Sequence, residues 1–320
     1  MAWRYINPGY VHLLDKNAQS TATQVTGYEY SKTGVAFYQT SEATGITLPD
    51  FAHGDDFWAR FDCYIPLSNS FSVGVYAPYN YKKGIYMNKS GSDFRISVWS
   101  GSSIDKRAVE TSWGNAGLYG IKKGAINTIL IHVDYDTGAG YLIEVTINDI
   151  TTVITASSSS NVFAYDSSYK PVGLSTYSSS PVSNIIFSNE EINIKEQVVA
   201  LPVSSTETAM TLQSDTYLAD SAGQTLLQSV NVISLISDFG NDSKVTGIAL
   251  VGNPAYRTGE QLSSLTAISK SGGTVTEYGT SNLDTDSDTV IWQGVPVASD
   301  TTIADLQNIQ LGWKAGEWKR

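Results

Sequence analysis

Cysteine, histidine and long apolar runs are all scarce in this chain of 320 residues. Its single cysteine, Cys63, cannot form an internal disulfide, and one cysteine with three histidines does not supply a zinc or haem site. No apolar run approaches the length of a membrane-spanning helix. The opening segment, MAWRYINPGYVHLLDKNAQ, lacks the basic stretch and apolar run of a signal peptide. We therefore expect neither membrane insertion nor signal-directed secretion.

Charged residues are also few, at 16% of the chain, and most of them are acidic. There are 31 Asp and Glu against 20 Lys and Arg, which gives a net charge of −11. Residues 1–195 carry 14 basic and 17 acidic side chains, a net of −3, whereas residues 196–320 carry 6 and 14, a net of −8. Because such a field repels polyanions, nucleic acid is not expected as a partner.

Aromatic residues and glycine are plentiful, with 19 Tyr, 9 Phe, 7 Trp and 27 Gly, as is typical of many short strands joined by turns. In DDFWARFDCYI, apolar residues occupy every second position, which indicates a strand with one apolar face. Half-buried strands need a second sheet to cover them, so this region predicts a β-sandwich. The same alternation returns at 71–75, 85–87, 94–98, 129–133 and 143–147.

A polar connector at about 195–205 coincides with the change in charge and predicts two domains, 1–195 and 196–320. Beyond it, VNVISLISDFG, KVTGIALVG, LTAISKSGG, VTEYG and TVIWQG are interpreted as strands. Asp300 and Thr301 precede an apolar period of three, which predicts a capped short helix before a final strand at 311–313. The predicted fold class is all-β, with an N-terminal sandwich and a smaller C-terminal sandwich that carries one short helix.

The order of the N-terminal segments resembles the concanavalin A-like jelly roll, which includes laminin-G-like domains. This resemblance covers residues 1–192 and rests on FWARFDCYI, GIYMNKSGSDFRISVWSG, INTILIHVDYDTGAGYLIEVTIND with its polar tip at Asn148 and Asp149, and SNIIFSNEEI. Residues 225–316 resemble the C-terminal β-domain of tailed-phage or prophage structural proteins, which closes on a Gly-aromatic-Lys strand, here Gly312, Trp313 and Lys314. The two resemblances imply a lectin-like domain on a virion protein.

Catalytic motifs do not stand out in the sequence. Jelly-roll glycosidases need two carboxylates on one strand, and their E-x-D-x-E run is missing. There is no G-x-S-x-G elbow and no G-x-x-x-x-G-K loop, and no histidine has an evident acidic partner. The nearest acid pairs, Asp134 with Asp136 and Glu144 with Asp149, fall at predicted turns. We expect a non-enzymatic protein, with a glycosidase that uses unrecognised acids as the alternative.

The outward side of the first-domain strands combines aromatic and polar residues. Aromatic planes pack on the C–H face of a pyranose, while Arg and Asp bind its hydroxyls, so this set is interpreted as a glycan groove. The alternative is that such residues simply favour strands, or that loops or a neighbouring subunit cover them. The candidate glycan-binding residues are Trp58, Arg60, Asp62, Tyr64, Tyr76, Tyr86, Arg95 and Trp99.

A second candidate site is the run LDTDSDT, in which Asp284, Asp286 and Asp288 alternate. Three carboxylates so close repel one another, and a calcium ion with oxygen ligands would offset that repulsion. The glycine and the distant glutamate of an EF-hand are missing. The two interpretations are a calcium site and a solvated turn, and no other cofactor is expected.

Together these patterns predict a phage or prophage virion protein of the tail, fiber or capsid-associated type that contacts host-surface glycan. The alternative is a bacterial carbohydrate-binding protein at the cell surface or outside the cell. We expect a homo-oligomer such as a trimer, or assembly with other virion proteins. Trp318, near the end of the sequence, is the expected contact, because exposed tryptophan often anchors interfaces.

Overall fold

The chain is described by a computed structural model over residues 4–14, 22–39, 57–67, 72–76, 83–90, 92–100, 107–134, 140–157, 173–177, 180–213, 216–252, 255–258, 262–285 and 291–317. It divides into two compact units, Met1–Val199 and Ala200–Arg320. Within the described ranges, no helix is long and apolar enough to cross a membrane.

The first unit is built from strands, and the alternating segments of the sequence form them as predicted. Two 3₁₀ helices span Val11–Leu13 and Ala116–Tyr119. The strands are β1 (Arg4–Asn7), β2 (Ala22–Thr26), β3 (Val35–Gln39), β4 (Phe57–Ile65), β5 (Ser72–Tyr76), β6 (Lys83–Ser90), β7 (Asp93–Ser100), β8 (Arg107–Glu110), β9 (Gly114–Asn115), β10 (Ala125–Asp134), β11 (Gly140–Ile147), β12 (Ile150–Ser157), β13 (Gly173–Tyr177) and β14 (Val182–Ser188).

These strands form two layers that are joined at β3. The hydrogen-bonded order is β12-β11-β10-β4-β14-β3-β13-β5-β6-β7-β8, with β1 on β14, β2 on β3 and β9 on β7. The two joints to β3 are single residue pairs, Val182 with Phe37 and Tyr177 with Gln39. We call β12-β11-β10-β4-β14-β1 the first layer and β13-β5-β6-β7-β8 the second layer.

A continuous hydrophobic core fills the space between the two layers. Alternate residues of β4, from Phe57 to Ile65, and of β7, from Phe94 to Val98, belong to it. The predicted all-β sandwich is therefore confirmed. Cys63 is fully buried in this core, and the burial raises the pKa of its thiol.

The second unit is a smaller β-sandwich. The elements are β15 (Val203–Thr208), β16 (Thr211–Gln213), β17 (Thr216–Leu218), β18 (Thr225–Val230), α1 (Val232–Phe239), β19 (Ile248–Gly252), β20 (Ser264–Ser271), β21 (Thr274–Asn282), β22 (Ile291–Val295), a 3₁₀ helix (Ala304–Asn308) and β23 (Ile309–Gly316). The five-stranded sheet has the order β15-β18-β23-β20-β21, and Trp313 of this sheet shares a core with Ile291 of the separate β19-β22 pair.

The segment VNVISLISDFG is a helix, α1, so its interpretation as a strand is wrong. Val232 and Leu235 are buried on one helical face, and the partly buried Phe239 packs on the same core. The Asn231 side chain accepts a hydrogen bond from the Ile233 N–H at 3.1 Å, which caps the first turn. The helical spacing of the buried residues and the Asn231 cap together outweigh the strand preference of the β-branched residues in this segment.

The predicted short helix and final strand are confirmed at Ala304–Asn308 and Ile309–Gly316, but the helix begins differently. Asp300 and Thr301 do not cap it. The Asp305 carboxylate instead accepts hydrogen bonds at 2.8 Å from both the backbone N–H and the hydroxyl of Thr302. These bonds hold the pKa of Asp305 below its ordinary value.

Candidate functional site

The candidate glycan-binding residues lie on two opposite outer faces of the first unit. In β4, Arg60 and Asp62 alternate with core residues and therefore lie on the outer face of the first layer. In β6 and β7, Tyr86 and Arg95 alternate with core residues in the same way, on the outer face of the second layer. The two sets cannot line a single groove, because the hydrophobic core separates them.

Arg60 and Asp62 are only 1% and 0% exposed, so the expectation that they form accessible surface is wrong. Arg60 Nη2 lies 3.1 Å from Asp62 Oδ1. The same carboxylate accepts hydrogen bonds from Thr128 Oγ1 at 2.8 Å and Asn184 Nδ2 at 2.9 Å, and Lys32 Nζ lies 3.7 Å from it. Desolvation lowers the pKa of Arg60, and the charge of Asp62 opposes that shift. The pair is a buried structural network.

Residues 189–199, which we call the connecting segment, bond to Arg60 and to Asn184, the residue that donates to Asp62. Arg60 donates hydrogen bonds to the carbonyl of Asn184 at 2.8 Å and to the carbonyl of Ile194 at 3.3 Å. The Asn184 side chain in turn accepts a hydrogen bond from the backbone N–H of the buried Val198. The sequence-based domain boundary after residue 195 thus falls inside a segment that packs on the first unit.

Trp58 is packed against its neighbours in the first layer. Its ring stacks on the imidazole of His132, with centroids 3.7 Å apart and planes 10° from parallel. His132 Nδ1 lies 3.0 Å from Glu144 Oε2, so this histidine has an acidic partner that the sequence did not reveal. Trp58 also packs against the hydrophobic cluster that Ile192 and Val198 of the connecting segment form with Ile186. At least one ring face of Trp58 is therefore unavailable to a ligand.

The outer face of the second layer carries an aromatic residue that sequence analysis missed, Trp113. The Arg95 guanidinium carbon lies 4.2 Å from the centroid of the Trp113 ring, which is 42% exposed. The register places Asn88 opposite Arg95 and Tyr86 opposite Ser97, and Asn88 Nδ2 lies 3.3 Å from Ser97 Oγ. Arg95 and Tyr86 are only 9% and 8% exposed, so the expectation that they form accessible surface is wrong, and Ser97 is 0% exposed. The exposed Trp113 indole and the half-buried Asn88 amide are the groups of this set that solvent reaches.

Tyr76 and Trp99 belong to the same layer by register. Both pair with Gly84, two residues before Tyr86 on β6. Their side chains lie outside the described residues. Their contribution to a glycan site stays a prediction.

The loop that presents Trp113 is fixed by hydrogen bonds on both sides. Thr111 exchanges backbone and side-chain bonds with Ile96 of β7, at 2.9 and 3.0 Å, and its hydroxyl accepts a bond from the Tyr119 hydroxyl at 2.8 Å. Asn115 caps the following 3₁₀ helix. The signal in the sequence is TSWGNAG, where a tryptophan directly precedes glycine and a capping asparagine; Trp113 lies in the irregular segment just before β9.

Tyr64, the remaining candidate on β4, contacts the loop between β2 and β3. Its ring lies edge to face against Tyr30, with centroids 5.3 Å apart and planes at 81°. Both rings are half-buried. Tyr64 is therefore accessible from the outer face of the first layer, unlike Arg60 and Asp62.

The second-unit candidates are only partly described. Asp284 Oδ1 accepts the backbone N–H of Thr285 at 2.6 Å, and the Asp284 carbonyl accepts that of Arg257 at 2.8 Å. In the part of the chain that the structure describes, no group of three His, Cys, Asp or Glu residues could hold a metal ion. The calcium site and the interface contact stay predictions, because the remaining candidates lie outside the described residues: Asp286, Asp288 and Trp318.

No protein family model and no curated protein matches the chain. Among solved structures, it is similar to the CBM2 module of the evolved Dit of Lactobacillus casei BL23 phage J-1, at 12% identity and a TM-score of 0.35 over 60% of this chain and 98% of that chain. It is also similar to the binding domain of botulinum neurotoxin DC in complex with rat synaptotagmin II, at 8% identity and a TM-score of 0.31 over 86% and 68%. Likeness at this level assigns neither a family nor a function, so the resemblance to concanavalin A-like and phage structural domains stays a prediction.

Proposed function

We propose that the chain is a non-enzymatic structural protein of a phage or prophage particle, and that the outer face of the second layer of its first unit binds host-surface glycan. The observation that carries the glycan site is the half-exposed Trp113 ring held 4.2 Å from the Arg95 guanidinium. The virion role rests on the sequence resemblance of residues 225–316 to phage structural domains.

The chemistry of this face suits a sugar ring. The guanidinium of Arg95 packs on Trp113 as a cation–π pair, which fixes the indole plane at the surface. A pyranose packs its C–H face on the exposed part of such a ring, and its hydroxyls need directional hydrogen-bond partners at the ring edge. Asn88, half-buried on β6 opposite Arg95, provides an amide for that purpose.

The glycan site is tested by titrating the full chain with oligosaccharides selected on a glycan array. Trp113→Ala should weaken binding at least tenfold, since a central aromatic anchor contributes about 2 kcal/mol or more. Trp113→Phe keeps a smaller ring and should lose less. Leu67→Ala removes another exposed apolar side chain and serves as the matched control. Unchanged affinity in Trp113→Ala would refute the site.

Three further measurements separate the proposal from its alternatives. Release of shortened sugar by the purified chain would identify a glycosidase and contradict the non-enzymatic assignment. Detection of the chain in purified virions separates a virion protein from a bacterial surface protein. Light scattering of the full chain and of a chain ending at Gly316 tests the proposed homo-oligomer, such as a trimer, and its contact at Trp318.

A further inference from the structure

We propose a second saccharide site on the opposite side of the first unit, formed by the β2–β3 loop (residues 27–34) and Tyr64, that binds a neutral sugar residue. This inference rests on the proposed function in that both assign glycan binding to the first unit. It concerns a different face, different residues and a stated ligand charge.

The β2–β3 loop is a rigid element. The Gly27 N–H donates to the Gly34 carbonyl at 2.9 Å, and the Gly34 N–H donates to the Ser31 carbonyl at 3.3 Å. The Thr33 hydroxyl donates to the Pro8 carbonyl at 2.9 Å, which ties the loop to the segment after β1. Gly27 and Gly34 have φ values of +131° and +78°, so the closing positions need glycine. A loop held in this way loses little conformational entropy when a ligand binds.

The loop brings Tyr30 against Tyr64 on the outer face of the first layer. Tyr30 packs edge to face on Tyr64, a geometry in which the two rings form a corner instead of a closed stack. Tyr28, on the same loop, is 78% exposed. These rings contribute little to the hydrophobic core, which lies on the inner side of the layer. They are placed to meet a flat apolar surface from solvent.

Two oppositely charged groups flank this corner. Lys32 Nζ donates to Thr128 Oγ1 at 2.8 Å, and its side chain is 43% exposed, so the ammonium is fixed at the surface. The Glu29 carboxylate lies at the Tyr30 hydroxyl and raises the pKa of that tyrosine. A fixed donor and an acceptor beside aromatic rings are the groups that bind neighbouring sugar hydroxyls.

The charge balance of the site favours a neutral ligand. Asp62 faces both Arg60, at 3.1 Å, and Lys32, at 3.7 Å. Glu29 adds a second carboxylate, so two cations balance two carboxylates. An acidic sugar would meet Glu29 without a further cation to offset the repulsion. A neutral hexose or N-acetylhexosamine can place its C–H face on the tyrosines and its hydroxyls between the two charged groups.

The experiment is a titration of the full chain with lactose and chitotriose as neutral probes and sialyllactose as the acidic probe. Tyr30→Ala and Lys32→Met should each weaken neutral-probe binding at this site about tenfold. Tyr30→Phe keeps the ring and should retain most of the affinity, which separates stacking from loss of fold. Tyr217→Ala, a half-buried tyrosine of the second unit, is the matched control. Saturation-transfer or chemical-shift changes at Tyr30 give a readout independent of affinity.

Each outcome decides the inference. Loss in the Tyr30 and Lys32 variants, with a separate loss in Trp113→Ala, supports both faces. Loss of affinity only in Trp113→Ala overturns the loop site and leaves the proposed function standing. Loss of affinity only in the Tyr30 and Lys32 variants supports the loop site and overturns the proposed site at Trp113. Tighter binding of sialyllactose than of the neutral probes refutes the assigned ligand charge. Binding of none of the three probes overturns the loop site, and an array hit that depends on Trp113 still supports the proposed function.

Discussion

Replacing Arg60 by methionine should destabilise the first unit far more than the same replacement of an exposed cation. Methionine keeps most of the side-chain volume but removes the charge 3.1 Å from Asp62. It also removes both hydrogen bonds to the carbonyls of Asn184 and Ile194. Asp62, at 0% exposure, is left without its closest cation.

The magnitude follows from the burial of the pair. Removing one partner of a buried ion pair costs about 3–5 kcal/mol, because the other charge stays desolvated and unpaired. About 4 kcal/mol corresponds to roughly a thousandfold change in the unfolding equilibrium. Lys32→Met provides the matched control, since Lys32 lies 3.7 Å from the same carboxylate but is 43% exposed. An exposed ion pair of that kind contributes about 0–1 kcal/mol, so Lys32→Met should change the unfolding equilibrium by no more than about tenfold.

Cys63 supplies the assay. It is the sole cysteine of the chain, it is fully buried in the first-unit core, and burial raises the pKa of its thiol, so the folded state should not react with a thiol reagent. Under native conditions its labelling rate reports the open fraction of the first unit alone. Labelling should be about a thousandfold faster in Arg60→Met. A rise of less than tenfold in Arg60→Met, or equal rises in both variants, would refute the argument from desolvation.

Three further predictions concern the second unit and the boundary. Gly312→Ala should unfold the second unit, because a Cβ there would lie 1.7 Å from the Leu226 carbonyl oxygen. Hydrogen exchange should then show loss of protection in β20 and β23, and a native exchange pattern would contradict the prediction. The depressed pKa of Asp305 adds stability that is present at neutral pH and lost as pH falls through the folded-state value, so Asp305→Asn should lower the melting temperature at pH 7 but not at strongly acidic pH. Limited proteolysis of the full chain should cut at 199–205 and spare the packed residues 192–198, whereas early cleavage within 192–198 would argue against that packing.

Period-two alternation predicted the strands of the first unit and the inward faces, because a buried face requires a strict pattern. The same pattern cannot show what lies over the outward face. Arg60 and Asp62 alternate correctly with the core of β4, yet both are buried by residues distant in sequence. The connecting segment, more than a hundred residues later, bonds to Arg60, and Thr128 and Asn184 bond to Asp62. Burial by a distant segment leaves no local signal in the strand itself.

Two other sequence interpretations missed local signals that were present. The α1 segment has the spacing of an amphipathic helix and an asparagine cap, but its valines and isoleucines favour strands and obscured the period. Trp113 lies in the irregular segment between β8 and β9, outside the alternating runs, so a search for strand faces passed over it. An aromatic residue beside turn-forming residues is the more useful indicator of a surface site.

The attachment of Val198 to Asn184 determines how mechanical load enters the first unit. Asn184 lies at a bulge in β14 with a φ of +54°, and its side chain binds both Asp62 and Val198. Tension applied from residue 200 onwards reaches Val198 before it reaches the end of β14, and Asn184 distributes it to β4 in the middle of the first layer. Strand β14 is therefore loaded through several hydrogen bonds at once, and its hydrogen bonds do not break one after another from its last residue. In the virion role proposed above, this path would help the first unit resist pulling.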